Sequence, residues 1–239
     1  MFSLLIRRDG LIDPPQMDET DTHCHLLPGM DDGPVDDRGS LAIARLLMEI
    51  GVRKVVATPH VISDLYPNTT TKILNSVARM KQLLKDNKLN IEVVPGAEYY
   101  AEIELLRRIE KNDILCFGEK RYVLFESPVE HKPMILDEII FGLKSNGYTP
   151  LLAHAERYRF LQADHGLALH LHRLGVCFQI NHPSFMLPKT SRRGETARWF
   201  YVKGLVETLG TDMHRATSLQ DHFAQPKLSK RRKRSENRR

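Results

Sequence analysis

The sequence predicts an α/β protein in which strand–helix units build a parallel sheet. Short β-branched or apolar segments alternate with helical periodicity at a repeat of roughly thirty residues, which is the size of one βαβ step. The chain has 239 residues, and one domain is expected because hydrophobic cores usually divide only beyond roughly 250 residues. A composition of 41% hydrophobic and 27% charged residues excludes disordered, collagen-like and membrane-bundle proteins.

Seven strands are predicted, and this number favours a seven-stranded (β/α)7 barrel. Each predicted strand is a short run of apolar and β-branched residues. The runs lie at residues 22–25, 52–58, 91–97, 122–126, 150–154, 176–181 and 205–211. Because the carboxyl ends of all strands meet on one face of such a barrel, the side chains that end these runs are expected to converge.

Helices are predicted between the strands from their periodicity and their end signals. One helix is expected over residues 40–50, before Gly51, a residue that suits the position after a helix end. Two more are expected at residues 133–145 and 167–174. The helix after residue 68 is predicted to bury one apolar face, formed by Ile73, Leu74, Val77, Met80, Leu83 and Leu84.

The formal net charge of +5 is concentrated at the end of the chain. Residues 227–239 hold eight basic residues and one acidic residue, and the remainder holds 27 basic and 29 acidic residues. The body is therefore not basic, which argues against nucleic acid as a partner. We interpret 1–18 as an N-terminal extension, 19–223 as the domain and 224–239 as a solvated, disordered tail; contact of that tail with nucleic acid or anionic lipid is the alternative.

Membrane segments, targeting signals and cysteines further restrict the location and the class of the protein. No apolar run approaches the roughly 18 residues of a membrane-spanning helix, and the opening MFSLLI is too short for a signal peptide. A cytoplasmic protein is therefore expected. Cys24, Cys116 and Cys177 are odd in number and widely spaced, which is typical of reduced thiols. None begins a C-x5-R loop, so a thiol phosphatase is excluded.

Imidazoles and carboxylates end almost every predicted strand. His23 and His25 lie on the same side of an extended strand, so both can reach one metal ion, although an H-x-H pair alone is a weak signal. One carboxylate at a strand end is explained equally well as a helix N-cap, but so many ionisable strand ends are not. The candidate metal ligands are His23, His25, Asp32, His60, Glu98, Glu126, His154, Asp212 and His214.

Nine ligands indicate more than one ion, because one zinc ion takes about four protein ligands. We expect two or three divalent ions. Mixed imidazole and carboxylate ligands suit manganese, iron or zinc better than calcium. Glu98 or Glu126 is expected to bridge the ions, and the clustered anionic ligands are expected to form the site poorly without metal.

Six motifs, in this order, carry a resemblance to a known family. HCHLLPGMDDG, ATPH, GAEYY, YVLFE, LLAHAERY and GTDMH resemble the PHP (polymerase and histidinol phosphatase) superfamily. Within it they are similar to the bacterial CpsB/YwqE-type protein-tyrosine phosphatases of capsular and exopolysaccharide synthesis. The resemblance spans about residues 21–214.

The resemblance implies a distorted seven-stranded βα barrel with a trinuclear, often manganese-dependent centre. It also implies a substrate, the tyrosine-rich tail of a bacterial tyrosine kinase. The family's motifs assign the same nine residues as ligands, with Asp32 preferred to Asp31, and assign Arg157, Asp212 and His214 to catalysis, with Arg157 gripping phosphate. The family usually continues with a second phosphate-binding arginine and a closing helix, where this chain offers Arg215 and a short segment.

The predicted activity is hydrolysis of protein phosphotyrosine by hydroxide that metal ions activate, with Arg157 offsetting charge on the phosphoryl oxygens. No protein nucleophile is needed. The alternatives are another phosphoesterase of the same superfamily, such as one acting on histidinol phosphate, and a binding module without turnover. Tyr99 and Tyr100 are expected either to stack on a substrate ring or to pack. His131 and His182 are further candidates near the site.

Overall fold

The computed structural model describes residues 15–217, which contain nine strands and seven α-helices. The strands are β1 Thr20–Cys24, β2 Lys54–Ala57, β3 His60–Val61, β4 Glu92–Pro95, β5 Glu98–Tyr100, β6 Tyr122–Glu126, β7 Thr149–Leu152, β8 Cys177–Asn181 and β9 Val206–Gly210. The helices are α1 Asp37–Glu49, α2 Thr70–Asp86, α3 Ile103–Glu110, α4 Leu136–Ser145, α5 Arg159–Ala163, α6 His165–Arg173 and α7 Arg192–Val202.

All strand pairs between the named strands are parallel, which confirms the predicted α/β class. The first sheet has the order β1-β2-β4, and the second has the order β3-β5-β6-β7-β8-β9. Because parallel neighbours run in one direction, the carboxyl ends of the strands lie along the same edge of each sheet. This arrangement positions the candidate site residues.

Each of the seven predicted strands is present, and two further short strands, β3 and β5, were not predicted. The predicted strand 52–58 corresponds to β2, and β3 begins after it, beyond Thr58-Pro59. The predicted strand 91–97 corresponds to β4, and β5 begins after it, beyond Gly96-Ala97. Pro59 has no N–H to donate to a neighbouring strand. A Cβ atom on Gly96 would lie 2.7 Å from Val56 Cγ1, so only glycine allows this close approach. The nine strands form two open sheets, one of three strands and one of six. The predicted closed seven-stranded barrel is not confirmed.

The helices follow the predicted order with shifted boundaries. Helix α1 begins three residues earlier than predicted, because the side chain of Asp36 accepts a hydrogen bond from Gly39 N and caps the helix. On α2 the predicted face was wrong at Leu74, which is 43% exposed. Leu74 follows Ile73 directly and is therefore rotated about 100° from it around the helix axis. Helices α3, α5 and α7 were not predicted.

The apolar core lies between the sheets and the helices that cover them. Helix α2 buries Ile73, Val77, Met80 and Leu84, a spacing that repeats one helix face. The three cysteines are free, as expected. Among residues 15–217, no helix has the length and apolarity needed to cross a bilayer. The predicted basic tail, 224–239, lies outside the described residues, as does most of the predicted extension 1–18.

Candidate metal centre

The nine predicted ligands converge at the carboxyl ends of the strands. They come from β1 and its following loop, from the points just beyond the ends of β2 and β4 where β3 and β5 begin, from the end of β6, and from the segments after β7 and β9. A cleft of about 540 Å³ opens over them. Its lining includes Asp32, His60, Glu98, Glu126, His154, Asp212 and His214, and His23 and His25 lie buried beneath it.

Glu98 lies at the centre of this cluster. Its side chain is fully buried, and its Oε2 atom lies 3.3 Å from His23 Nε2, 3.4 Å from His25 Nε2 and 3.0 Å from His60 Nδ1. Its other oxygen, Oε1, lies 3.0 Å from His154 Nε2. One carboxylate therefore contacts four imidazoles that come from three separate segments of the chain.

Three overlapping groups of side chains have donor atoms close enough to share an ion. Within each group, one ligand atom from every member lies within 4.8 Å of the others. The groups are His25, Asp32, His60 and His214; His23, His25 and Asp212; and His60, Glu98 and Glu126. Since His25 and His60 each belong to two groups, the geometry is that of adjoining ion sites rather than separate ones.

The chemistry of these donors fits divalent metal ions. Both carboxylate oxygens of Glu98 and the Nδ1 atoms of His60 and His154 are buried and have no hydrogen-bond partner among the described residues. A buried carboxylate without partners costs several kcal/mol, and a cation removes this cost. Mixed imidazole and carboxylate donors suit manganese, iron or zinc.

The carboxylates of the cluster also favour positive charge on its imidazoles. Burial alone would lower the pKa of His60, but its contacts with Glu126 and Glu98 outweigh burial and raise that pKa to about 10. Burial opposes ionisation of Glu98 as well, yet the imidazoles of His23 and His154 hold the pKa of Glu98 well below its usual range. The cluster is therefore built to hold positive charge, which protons or metal ions provide.

Asp31 and Asp32 are adjacent in sequence but have different environments. Asp31 Oδ2 is buried and accepts hydrogen bonds from His25 Nδ1, at 2.7 Å, and from His60 N, at 3.0 Å. The side chain of Asp32 is 53% exposed in the cleft, with Oδ1 3.2 Å from His214 Nε2. Asp31 thus fixes the imidazole of His25 so that Nε2 faces the cluster, and only Asp32 reaches the cleft itself.

Strand β8 supplies two amides that sequence analysis missed. Gln179 Oε1 accepts from His23 Nδ1, at 3.0 Å, and from His154 N, at 2.7 Å. Asn181 Nδ2 donates to Asp212 Oδ2, at 2.7 Å. The bond to Gln179 fixes the ring of His23 with Nε2 free for an ion. The i, i+2 spacing of these amides in a predicted strand was the signal that they share one side.

Three arginines line the same cleft. Arg157, at the end of a 3-10 turn, has Nη1 3.2 Å from Asp212 Oδ2. Arg193, near the start of α7, donates from Nε to Ser184 Oγ at 2.9 Å, and Arg215 follows the last predicted ligand. Arg157 was expected here. Arg193 was missed, because only the packing of α7 against the turn at Ser184 brings it to the cleft.

The backbone is strained at two of the converging residues. His154 has φ +33° and Asp212 has φ +54°, both in the left-handed region that non-glycine residues rarely adopt. Such a conformation costs of order 1–3 kcal/mol and persists only where the surroundings fix it. The N–H of Asp212 donates to His23 O at 2.8 Å, and the carbonyl of His154 accepts from Arg157 N at 2.8 Å. Strain of this kind concentrates at functional sites.

Other candidates from the sequence have different surroundings. Tyr99 is buried, and its hydroxyl accepts from Leu115 N at 2.8 Å, so it packs rather than facing the cleft. Tyr100 lines a neighbouring cavity of about 260 Å³. His182 Nε2 donates to the carbonyl of Pro15 at 2.8 Å, and His131 is exposed.

Together the fold and the cleft define an α/β protein with a candidate metal centre at the carboxyl ends of parallel strands. Residues 19–238 match a protein family described as "Capsular polysaccharide synthesis, CpsB/CapC". The chain belongs to this CpsB/CapC family.

Known proteins of similar sequence and structure agree with this assignment. The chain is 32% identical over 166 residues to tyrosine-protein phosphatase YwqE of Bacillus subtilis, a stretch covering 69% of this chain and 65% of that protein. It is 27% identical over 210 residues to tyrosine-protein phosphatase CpsB of Streptococcus pneumoniae, covering 86% of each. A solved structure described as one of YwqE and CpsB, "unique metal-dependent tyrosine phosphatases", superposes with a TM-score of 0.77 at 27% identity and covers 87% of this chain and 88% of that one.

Proposed function

We propose that the protein is a metal-dependent protein-tyrosine phosphatase that hydrolyses the phosphate monoester of tyrosine residues. The observation that carries the proposal is the buried Glu98 carboxylate, whose oxygens lie 3.0–3.4 Å from four imidazoles beneath a cleft lined by arginines. Relatives named tyrosine-protein phosphatases support the substrate class.

The centre is proposed to hold two or three divalent ions, with manganese favoured and iron or zinc as alternatives. When bound, such ions act as Lewis acids that make water nucleophilic near neutral pH and offset the charge of a phosphoryl group. The residues that would hold them are His23, His25, Asp32, His60, Glu98, Glu126, His154, Asp212 and His214.

Asp212 has two functions in the proposed site. Its Oδ2 atom accepts from Asn181 Nδ2 and lies 3.2 Å from Arg157 Nη1, whereas Oδ1 lies 3.5 Å from both His23 Nε2 and His25 Nε2. One oxygen therefore positions the arginine and the other faces the cluster. Arg157, once positioned, presents its remaining N–H groups to phosphoryl oxygens, where charge-assisted hydrogen bonds are strongest.

His214 is proposed to act as a neutral imidazole. Its Nδ1 donates to the carbonyl oxygen of Asp212 at 3.0 Å, so Nε2 keeps its lone pair. Burial, and then the neighbouring His25, lower the pKa of His214. A neutral Nε2 at the mouth of the cleft can bind an ion or accept a proton. The tyrosine leaving group, with a pKa near 10, needs only modest help from an acid.

The architecture proposed for the catalytic domain, residues 19–223, is a distorted seven-stranded barrel. Support comes from contacts between β1 and the segment after β9. Asp212 N donates to His23 O at 2.8 Å, and His25 N donates to Met213 O at 3.1 Å, while Cys24 and Met213 form an isolated parallel bridge. These bonds join one edge strand of each sheet.

The physiological substrate is proposed to be the tail of a bacterial tyrosine kinase that controls capsular or exopolysaccharide synthesis, in the cytoplasm. The family description, which names capsular polysaccharide synthesis, supports this setting. The formal charge of the chain without residues 227–239 is −2, which gives no support to nucleic acid as a substrate.

The test is hydrolysis of a phosphotyrosine peptide by the purified full chain. We expect turnover that manganese stimulates, that a chelator abolishes and that added manganese restores. Arg157→Ala should lower kcat/KM by about 100-fold, the usual effect of removing one preorganised donor to a developing oxyanion. Arg159→Ala is the matched control, because Arg159 is 69% exposed and contacts Glu130.

Two results would contradict the proposal. The first is hydrolysis that persists at full rate after metal has been removed and verified absent by elemental analysis. The second is an Arg157→Ala protein that retains metal but has the same kcat/KM as the Arg159→Ala control.

A further inference from the structure

Residues 62–66, directly after β3, form an apolar part of the cleft lining. Ile62 and Tyr66 are paired through their backbones, with Ile62 N donating to Tyr66 O at 3.1 Å and Tyr66 N donating to Ile62 O at 2.9 Å. Ile62, Leu65 and Tyr66 all line the cleft above the candidate metal ligands. Leu65 is 63% exposed. We call residues 62–66 the apolar turn.

Hydrogen bonds hold the apolar turn on both sides. The buried side chain of Asn68 donates from Nδ2 to the carbonyls of Met30 and His60, both at 2.8 Å. Ser63 donates from N, at 2.8 Å, and from Oγ, at 2.7 Å, to Glu102 Oε1. The turn is therefore fixed in position before any ligand binds, which lowers the entropic cost of binding.

The apolar surface begins directly beside a candidate metal ligand. The ring of Tyr66 is nearly parallel to the imidazole of His60, with an interplanar angle of 11° and 5.6 Å between centroids. Single exposed apolar residues are normal on protein surfaces, so the exposure of Leu65 alone means little. What matters is the rest of the lining, which is ionisable throughout: Asp32, His60, Glu98, Glu126, His154, Arg157, Arg193, Asp212, His214 and Arg215.

This division matches the two halves of an aryl phosphate. A phosphate group held among the ions and arginines leaves its ester substituent to contact the remaining lining. Within residues 15–217, the apolar residues that line this cleft are Ile62, Leu65 and Tyr66. A phenyl ring gains free energy by leaving water for such a surface, and it stacks favourably against another ring. A short alkyl ester gains much less.

We propose that the apolar turn binds the aromatic ring of the substrate and so selects aryl over alkyl phosphate monoesters. This inference rests on the proposed phosphatase function and adds the element that recognises the leaving group. Leu65 and Tyr66 are then specificity-determining residues, and the metal ligands and arginines recognise only the phosphoryl group.

The experiment compares two non-hydrolysable ligands, phenylphosphonate and methylphosphonate. They carry the same phosphonate group, and they differ in that its substituent is a phenyl ring in one and a methyl group in the other. Their affinities for the manganese-loaded full chain are measured by calorimetry. The unmodified protein should bind phenylphosphonate about tenfold more tightly, the gain from burying one face of a ring. Leu65→Ser should reduce that ratio at least about threefold without changing the affinity for methylphosphonate.

A matched variant separates a local effect from a general one. Leu74→Ser removes a leucine that is 43% exposed on α2 and is not part of the cleft lining, so both affinities should remain unchanged. Tyr66→Phe, which keeps the ring, should preserve the ratio, whereas Tyr66→Ala should lower it.

Equal ratios in the unmodified, Leu65→Ser and Leu74→Ser proteins would overturn the inference while leaving phosphatase activity intact. A loss of affinity for both ligands in Leu65→Ser would overturn it as well, because that result indicates general damage to the cleft. Failure of the proposed function would give a different result. In that case the unmodified protein would not bind methylphosphonate and would not hydrolyse any phosphate monoester.

Discussion

Asp31 shows how one side chain organises the candidate centre without entering the cleft. Its carboxylate holds both the ring of His25 and the backbone N–H of His60. Burial opposes the charge of Asp31, but the bond to His25 outweighs it and lowers the pKa of this carboxyl. The charged form is therefore favoured, and it increases the basicity of the imidazole that it holds.

Asp31→Asn should weaken manganese binding by about tenfold, because the neutral amide cannot support the imidazole of His25 as a carboxylate does. Metal titration followed by calorimetry measures this change, and kcat/KM at limiting manganese should fall in parallel. Asp86→Asn, at an exposed position at the end of α2 and outside the cleft lining, is the control. Manganese affinity that is the same in both variants would rule out the positioning role of Asp31.

At the scale of the element, close contact between β1 and β9 decides how the ligands meet. Gly210 ends β9, and a Cβ atom there would lie 2.5 Å from His23 Cβ and 2.8 Å from Gln179 Nε2. Real Cβ atoms do not approach other atoms so closely, so one strand or the other must move when a side chain is present. The missing side chain at Gly210 lets His23 and Gln179 lie within hydrogen-bonding distance of each other.

Gly210→Ala should therefore lower the free energy of unfolding by about 1–3 kcal/mol, the usual cost of overpacking. Gly142→Ala is the contrasting change. Gly142 lies inside α4, where a Cβ atom meets only ordinary contacts at 3.6 Å or more, and alanine should add about 0.5–1 kcal/mol. Denaturant unfolding of both variants tests the pair, and a Gly210→Ala protein as stable as the unmodified one would refute the packing argument.

For the whole molecule, a second set of polar contacts lies at the opposite ends of the strands. Glu207, in β9, accepts hydrogen bonds from Lys120 Nζ, at 2.7 Å, and from the hydroxyl of Tyr122, at the start of β6. Burial would raise the pKa of Glu207, but these two bonds outweigh it and lower that pKa. Strands β6 and β9 are not neighbours in the sheet, so the contact ties together distant parts of the fold.

The sign of the pH dependence follows from this lowered pKa. The pKa of this carboxylate in the folded protein is lower than its unfolded value of about 4.3. The charged carboxylate therefore stabilises the native state fully at pH values above about 4.3, and this contribution is lost as the pH falls through the folded pKa. Glu207→Gln should cost about 1 kcal/mol at pH 7, and the difference from the unmodified protein should shrink towards pH 3. The exposed Glu119→Gln is the control in unfolding measurements, and a deficit that grows in acid would contradict the assignment.

The sequence predicted the parts of the fold that depend on local pattern. Ionisable residues at strand ends were recognisable because parallel strands bring their carboxyl ends to one edge, so His23, Glu98 and His154 were expected to be close. Arg193 was not predicted to lie near them, because its position depends on how α7 packs and on its hydrogen bond to Ser184. The short strands β3 and β5 were not predicted either, because they begin beyond the apolar runs from which β2 and β4 were predicted.

The donors gathered around Glu98 span positions 23 to 214, and this spread has a consequence for biosynthesis. A nascent chain that has emerged from the ribosome only as far as β7 and the turn after it contains seven of the nine donors. It still lacks Asp212 and His214, as well as Gln179, which holds the ring of His23. In the proposed site, complete coordination of metal therefore requires the residues that follow β9, and it is expected only after nearly the whole proposed domain, residues 19–223, has been translated.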